Sequence, residues 1–99
     1  MKIIWSKNAV QDRENIWDYL HVENPGAALD MDRRFTEAAS RLAHNPKMGR
    51  VGIIAGTREL IPHPSYRLVY QSDQDVIWIM ALVHTARAWP FPKQRLARP

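Results

Sequence analysis

The sequence predicts an α+β fold in which a helical hairpin packs on one face of an antiparallel sheet, in the order β-α-α-β-β-β. Three observations carry this. Residues 7–44 repeat apolar side chains at spacings of three and four, broken once by Asn24-Pro25-Gly26. Residues 57–84 hold three runs rich in β-branched and aromatic residues, joined by the short segments PHPS and SDQD. A chain of 99 residues has room for one modest core. Local turns between successive strands imply an antiparallel meander, and amphipathic helices must bury their stripe against it.

Taken in order, Lys2–Trp5 is a short apolar run read as a strand. Ser6 follows as an N-cap. In the first helix Ala9, Val10, Ile16, Trp17 and Leu20 form the apolar positions, with Asp12, Arg13, Glu14 and Asp18 elsewhere. Asn24 suits the cap of a second helix and Pro25 its first position. There Ala28, Met31, Phe35, Ala38, Ala39 and Leu42 recur at three and four, and the alanines allow close approach to a neighbour. Asn45-Pro46 ends this helix. Residues 46–55 contain two glycines and a proline and are read as a loop with a possible short extended piece. Strands follow at about 57–61, 66–71 and 76–84. The last is apolar on both faces, as a central strand requires. Residues 1–90 form a single domain, and 91–99 a basic, proline-containing tail.

Composition excludes several classes. With 45% hydrophobic residues the chain is not globally disordered. It has no cysteine, so disulfides and thiolate metal sites are absent. His21, His44, His63 and His84 are scattered without metal-ligand spacing, and no glycine-rich phosphate loop occurs. Neither a metal nor a cofactor is expected. No apolar run reaches membrane-spanning length and no signal-peptide apolar region opens the chain, so a cytoplasmic protein without membrane contact is expected. The net charge of +4 is uneven: −2 over residues 1–37 and +6 over residues 38–99. The basic part favours an acidic partner, either nucleic acid or an acidic protein segment.

Turn lengths suggest a register. Pairing Ile61 with Tyr66 across PHPS, and Gln71 with Val76 across SDQD, places Arg58, Leu60, Arg67, Val69, Trp78, Met80, Leu82 and His84 on one face. Glu59, Ile61, Tyr66, Leu68, Tyr70, Ile77, Ile79, Ala81 and Val83 fall on the other, which is the more apolar and is assigned to the helices. A bulge in either turn breaks this assignment. Arginines beside an indole suit a phosphate-rich or nucleobase ligand. A histidine kept neutral near arginines can act as general base while an arginine stabilises phosphorane charge, which describes metal-free RNA cleavage with the 2′-hydroxyl as nucleophile. The alternative is structural: Arg58 and Arg67 pair with Glu59, Asp73 or Asp75, and His84 bonds to backbone.

At these residues the chain resembles a known family. GTRELI, YRLVYQ and an apolar strand ending VHTARAWP, preceded by NPGAA in the helix turn and HNPKMGR after it, look like the RelE/ParE toxins of bacterial type II toxin–antitoxin systems. The resemblance covers about residues 1–90. It implies the β-α-α-β-β-β fold, a chromosomal or plasmid operon, and a tightly bound cognate antitoxin that contacts operator DNA and wraps the toxin. It also implies two activities. RelE-like members cut messenger RNA on the ribosome; there Arg67 matches the strand arginine and Arg87 the arginine after the last strand. Arg58 lies where lysines are usual, and His84 stands in for a tail tyrosine that is lacking. The catalytic candidates of a nuclease are then Arg58, Arg67, His84 and Arg87. ParE-like members inhibit DNA gyrase without chemistry of their own, and the Asn-Pro-Gly turn and Arg-Ala-Trp-Pro ending lean this way. Target binding is expected at Arg58, Arg67, Trp78, Arg87 and Trp89.

Overall fold

A computed structural model describes residues 1–90. The expected tail, 91–99, lies outside the described residues. The elements are β1 (Lys2–Trp5), α1 (Lys7–Glu23), α2 (Pro25–His44), β2 (Arg50–Val51), β3 (Arg58–His63), β4 (Tyr66–Asp73) and β5 (Val76–His84). They form a five-stranded sheet in the order β1-β5-β4-β3-β2, with both helices on one face.

The helix caps are those the sequence predicts. Ser6 Oγ accepts from Ala9 N–H at 3.1 Å, and Asn24 Oδ1 accepts from Ala27 N–H at 3.1 Å, with Pro25 opening α2. Ser6 does a second job: its hydroxyl donates to the Met80 carbonyl of β5 at 3.1 Å. The core lies between helices and sheet. Ala9, Phe35, Ala38 and Leu42 meet Tyr66, Leu68, Tyr70, Ile77, Ile79 and Leu82 there, all buried.

The sheet is mixed rather than purely antiparallel. β1 runs parallel to β5, with Lys2 opposite Val76 and Trp5 opposite Ile79. The α-hairpin carries the chain from β1 at one edge of the sheet to β2 at the other, and the antiparallel meander from β2 to β5 then brings β5 back beside β1 in the same direction. β2, the short extended piece, pairs antiparallel with β3 at the other edge. β5 is an interior strand, between β1 and β4, and is buried from Ile79 through Val83.

The expected register is corrected at both turns. The strands are longer and the turns shorter: His63 pairs with Tyr66, and Asp73 pairs with Val76. Gln74, at φ 54°, supplies the left-handed residue of the second turn. Two-residue shifts alone would keep every side chain on its expected face. Two irregularities change that. Between Leu60 and His63 the β3–β4 ladder slips, so Leu60 faces Leu68 and Arg58 faces Tyr70. Pro62 sits in that interval and has no N–H to give the ladder. Between Ile79 and Ala81 a bulge at Met80 shifts β5, so Val69 faces Ala81 and Leu82 faces Leu68. Ser6 satisfies the bulged carbonyl.

Arg58, Leu60, Leu82 and His84 therefore point to the helix side, opposite to the expectation. Glu59, Ala81 and Val83 point away from the helices, also opposite. Arg67, Val69 and Trp78 do share the face away from the helices. The expected grouping of Arg58, Arg67, Trp78 and His84 on one face does not form.

Candidate functional site

Arg67 and its surroundings hold the most tightly organised polar group of the sheet. Arg67 on β4 and Glu59 on β3 project on the face away from the helices. Arg67 Nη1 donates to Glu59 Oε1 at 3.1 Å. Arg50 Nη2 of β2 reaches the same oxygen at 3.4 Å, and Ile53 N–H donates to Glu59 Oε2 at 3.2 Å. The Glu59 side chain is 1% exposed and that of Arg67 is 14%. A carboxylate this dry needs its charge neutralised and its lone pairs filled, and both arginines and a main-chain amide do so. The sequence offers this pairing as the structural alternative, and the structure places it there. Arg67 Nε remains buried without a hydrogen bond, so the pair rests on one terminal nitrogen.

Arg58 is on the other side. Its Nη1 donates to the carbonyls of Gly49 at 2.7 Å and Lys47 at 3.5 Å, tying the loop after α2 to β3. Tyr70, fully buried, completes that tie: its hydroxyl donates to Pro46 O at 2.7 Å and accepts from Gly49 N–H at 2.9 Å. Only glycine fits at 49, because a Cβ there would lie 2.8 Å from the Tyr70 hydroxyl and from Glu59 O. Burial pushes the Tyr70 hydroxyl up from its ordinary pKa, opposed by the Gly49 amide and the Arg58 charge.

His84 and Arg87 do come together, at the end of β5. They line a cleft of about 250 Å³ with Asp12, Asn15, Ile16, Tyr19, Tyr66 and Leu82. His84 meets the Tyr66 ring edge-on at 5.3 Å, and its Nδ1 accepts from Ala86 N–H at 3.1 Å. Asp12 Oδ2 accepts from Leu82 N–H at 3.0 Å, on the side of β5 that β1 leaves uncovered. Burial raises the Asp12 pKa, while the Leu82 amide and the Arg87 charge oppose the rise. The helical spacing assigns Asp12 to the polar positions of α1, yet it is half-buried. Its spacing from Ala9 and Ile16 puts it on the buried stripe of α1, the signal that could have found it.

The indoles divide as well. Trp89 is 8% exposed and packs with Val69, Ala81, Val83 and Ile54 over the sheet face away from the helices. Trp89, which follows β5, thus covers part of that face as a packing residue. Trp78 is half-buried on the same face, opposite Gln71. No helix among the described residues is long and apolar enough to cross a membrane.

Comparison with known proteins fits this architecture. Residues 3–89 match the family model described as the ParE toxin of the type II toxin–antitoxin system parDE. The chain is 32% identical over 90 residues to a putative toxin, Y4kP, of Sinorhizobium fredii, covering 90% of this chain and 93% of that protein. It is 34% identical over 86 residues to toxin RelE2 of Caulobacter vibrioides, covering 87% and 97%. A solved structure, described as the chromosomal ParDE toxin–antitoxin system from P. aeruginosa, shares the fold with TM-score 0.74 at 23% identity, covering 85% of this chain and 95% of that one. A hairpin of helices on a mixed five-stranded sheet, matched over nearly its whole length, places the chain in the ParE family of type II toxin–antitoxin toxins.

Proposed function

We propose that this toxin arrests growth by binding DNA gyrase, carries out no chemistry of its own, and is held in check by a cognate antitoxin. The observation that supports this most is the engagement of Arg67. Its guanidinium is spent on a buried carboxylate, and Arg58 is spent on loop carbonyls across the sheet. Phosphoryl-transfer chemistry needs cationic donors aimed at one reacting group. Here the arginines serve the fold, and His84 lies on the opposite face from Arg67.

The second reading is a ribosome-dependent mRNA endoribonuclease built on Arg58, Arg67, His84 and Arg87. It is favoured by the shared cleft of His84 and Arg87, a base beside a cation, and by the name of the Caulobacter relative. In either reading the antitoxin carries an acidic segment that covers part of the basic residues 38–99, and operator DNA is contacted through the antitoxin. The site of action is the cytoplasm.

Induction in growing cells separates the two. Gyrase poisoning gives filamentation and a DNA-damage response while translation initially continues. RNA cleavage gives immediate arrest of translation with codon-specific cuts, and that outcome overturns the binding reading.

A further inference from the structure

A separate cavity lies on α1, against β1 and α2. It holds about 460 Å³ and is lined by Trp5, Val10, Arg13, Glu14, Trp17, Asp18 and Asp32. Val10, Glu14 and Trp17 follow one another at spacings of four and three, so they form a stripe along α1. This stripe is not the one that Ala9 and Ile16 bury in the core. Val10 is 43% exposed, and Trp5 and Trp17 are half-buried. The fold therefore leaves a valine and parts of two half-buried indoles facing a shared hollow.

The charge of that hollow is specific. Arg13 is fully committed: Nε donates to Asp32 Oδ1 at 2.6 Å, and Nη2 to Asp32 O at 3.1 Å and to Thr36 Oγ1 at 2.6 Å. Its guanidinium lies 4.6 Å from the centre of the Trp5 ring. Arg13 and Asp32 cancel each other. Glu14 and Asp18 are exposed on the rim and form no ion pair among the described residues. The hollow is thus net acidic in a chain that is net basic, and lies within residues 1–37, which carry −2.

The geometry points to this hollow as a docking pocket for a basic helical segment of a partner protein, one that presents an arginine or lysine beside an apolar residue. Each part matches a need of such an anchor. The indoles and Val10 accept the apolar neighbour and the methylene stem, Trp17, which His21 stacks on at 5.8 Å, offers the rest of its ring to the cation, and Glu14 and Asp18 receive its charge. The stacking of Arg13 on Trp5 is an internal example of the contact. An acidic segment is repelled at the same rim, so this pocket and the basic residues 38–99 select segments of opposite sign. The pocket stands whichever target the toxin has.

The test uses the full chain and a labelled amphipathic helical peptide of leucine, alanine and arginine. Its isomer with glutamate at each arginine is the control, and binding is read by fluorescence anisotropy. The arginine peptide is expected to bind and the glutamate isomer is not. The double substitution Glu14→Gln with Asp18→Asn weakens binding about tenfold and flattens its salt dependence. Trp17→Ala weakens it at least as much, with far-UV circular dichroism unchanged. Equal binding of the two peptides, or affinity unmoved by both variants, overturns the proposal. So does a concentration-dependent dimer that dissociates on Trp17→Ala, since the pocket is then occupied by a second copy of this chain.

Discussion

Arg67 and Glu59 meet across adjacent strands at 3.1 Å, on the face away from the helices, with the carboxylate nearly dry. The pair converts what looks like a free cation on a binding face into a joint of the fold. Glu59 also holds Arg50 and the Ile53 amide, so it joins β4, β3, β2 and the following loop at one carboxylate.

Removing one partner of such a pair leaves the other charge desolvated. Glu59→Ala is expected to cost about 3 kcal/mol of stability. Arg67→Ala should cost a comparable amount, and the double variant less than the sum of the two. Urea unfolding of the four proteins checks this. Additive losses would show that the two residues do not depend on each other.

The loop after α2 hangs on the Tyr70 hydroxyl. Tyr70→Phe removes an acceptor for Gly49 N–H and a donor to Pro46 O while keeping the ring. A loss of about 2 kcal/mol is expected, together with faster amide exchange at Gly49. Gly49→Ala is expected to cost more, because its Cβ meets main chain as well as the hydroxyl.

Asp12 carries a pH dependence of defined sign. Its folded pKa is raised by burial, so the contribution it makes to stability is fully present below its unfolded pKa of about 4 and is lost as pH rises through the folded value. Asp12→Asn keeps an acceptor for the Leu82 amide and removes the titration. The stability of the wild-type protein relative to Asp12→Asn should therefore fall as pH rises from about 3 to 7. Unfolding curves across that range measure it, and a relative stability that climbs with pH would contradict the assignment.

Much of this was legible in the sequence. Ser6, Asn24 and Pro25 act at the positions their chemistry favours, and the three-and-four repeat from Ala28 to Leu42 is the stripe that α2 buries. The parallel pairing of β1 was not legible, because KIIW gives no sign of its partner or direction. Face assignments failed where the ladder slips. Pro62, which the sequence reading places in the turn, lies inside β3, and a proline there interrupts the ladder at the first slip. The second, at Met80, depends on a bond from Ser6, which lies far away in sequence. One such slip was enough to part Arg58 from Arg67, and the other to part His84 from it.

His84 separates the two functional readings at the level of a residue, since it is exposed and meets the core only at the edge of Tyr66. His84→Ala is expected to retain full toxicity on induction, with folding confirmed by circular dichroism. A loss of toxicity of about a hundredfold or more, the usual scale for removing a general base, would favour the nuclease.

The most direct measurement brings the purified toxin to both targets under the same conditions: supercoiling by DNA gyrase, and cleavage of messenger RNA on translating ribosomes. The account predicts that supercoiling is inhibited, that the cognate antitoxin relieves the inhibition, and that messenger RNA stays intact. Codon-specific cuts with supercoiling unaffected would contradict it.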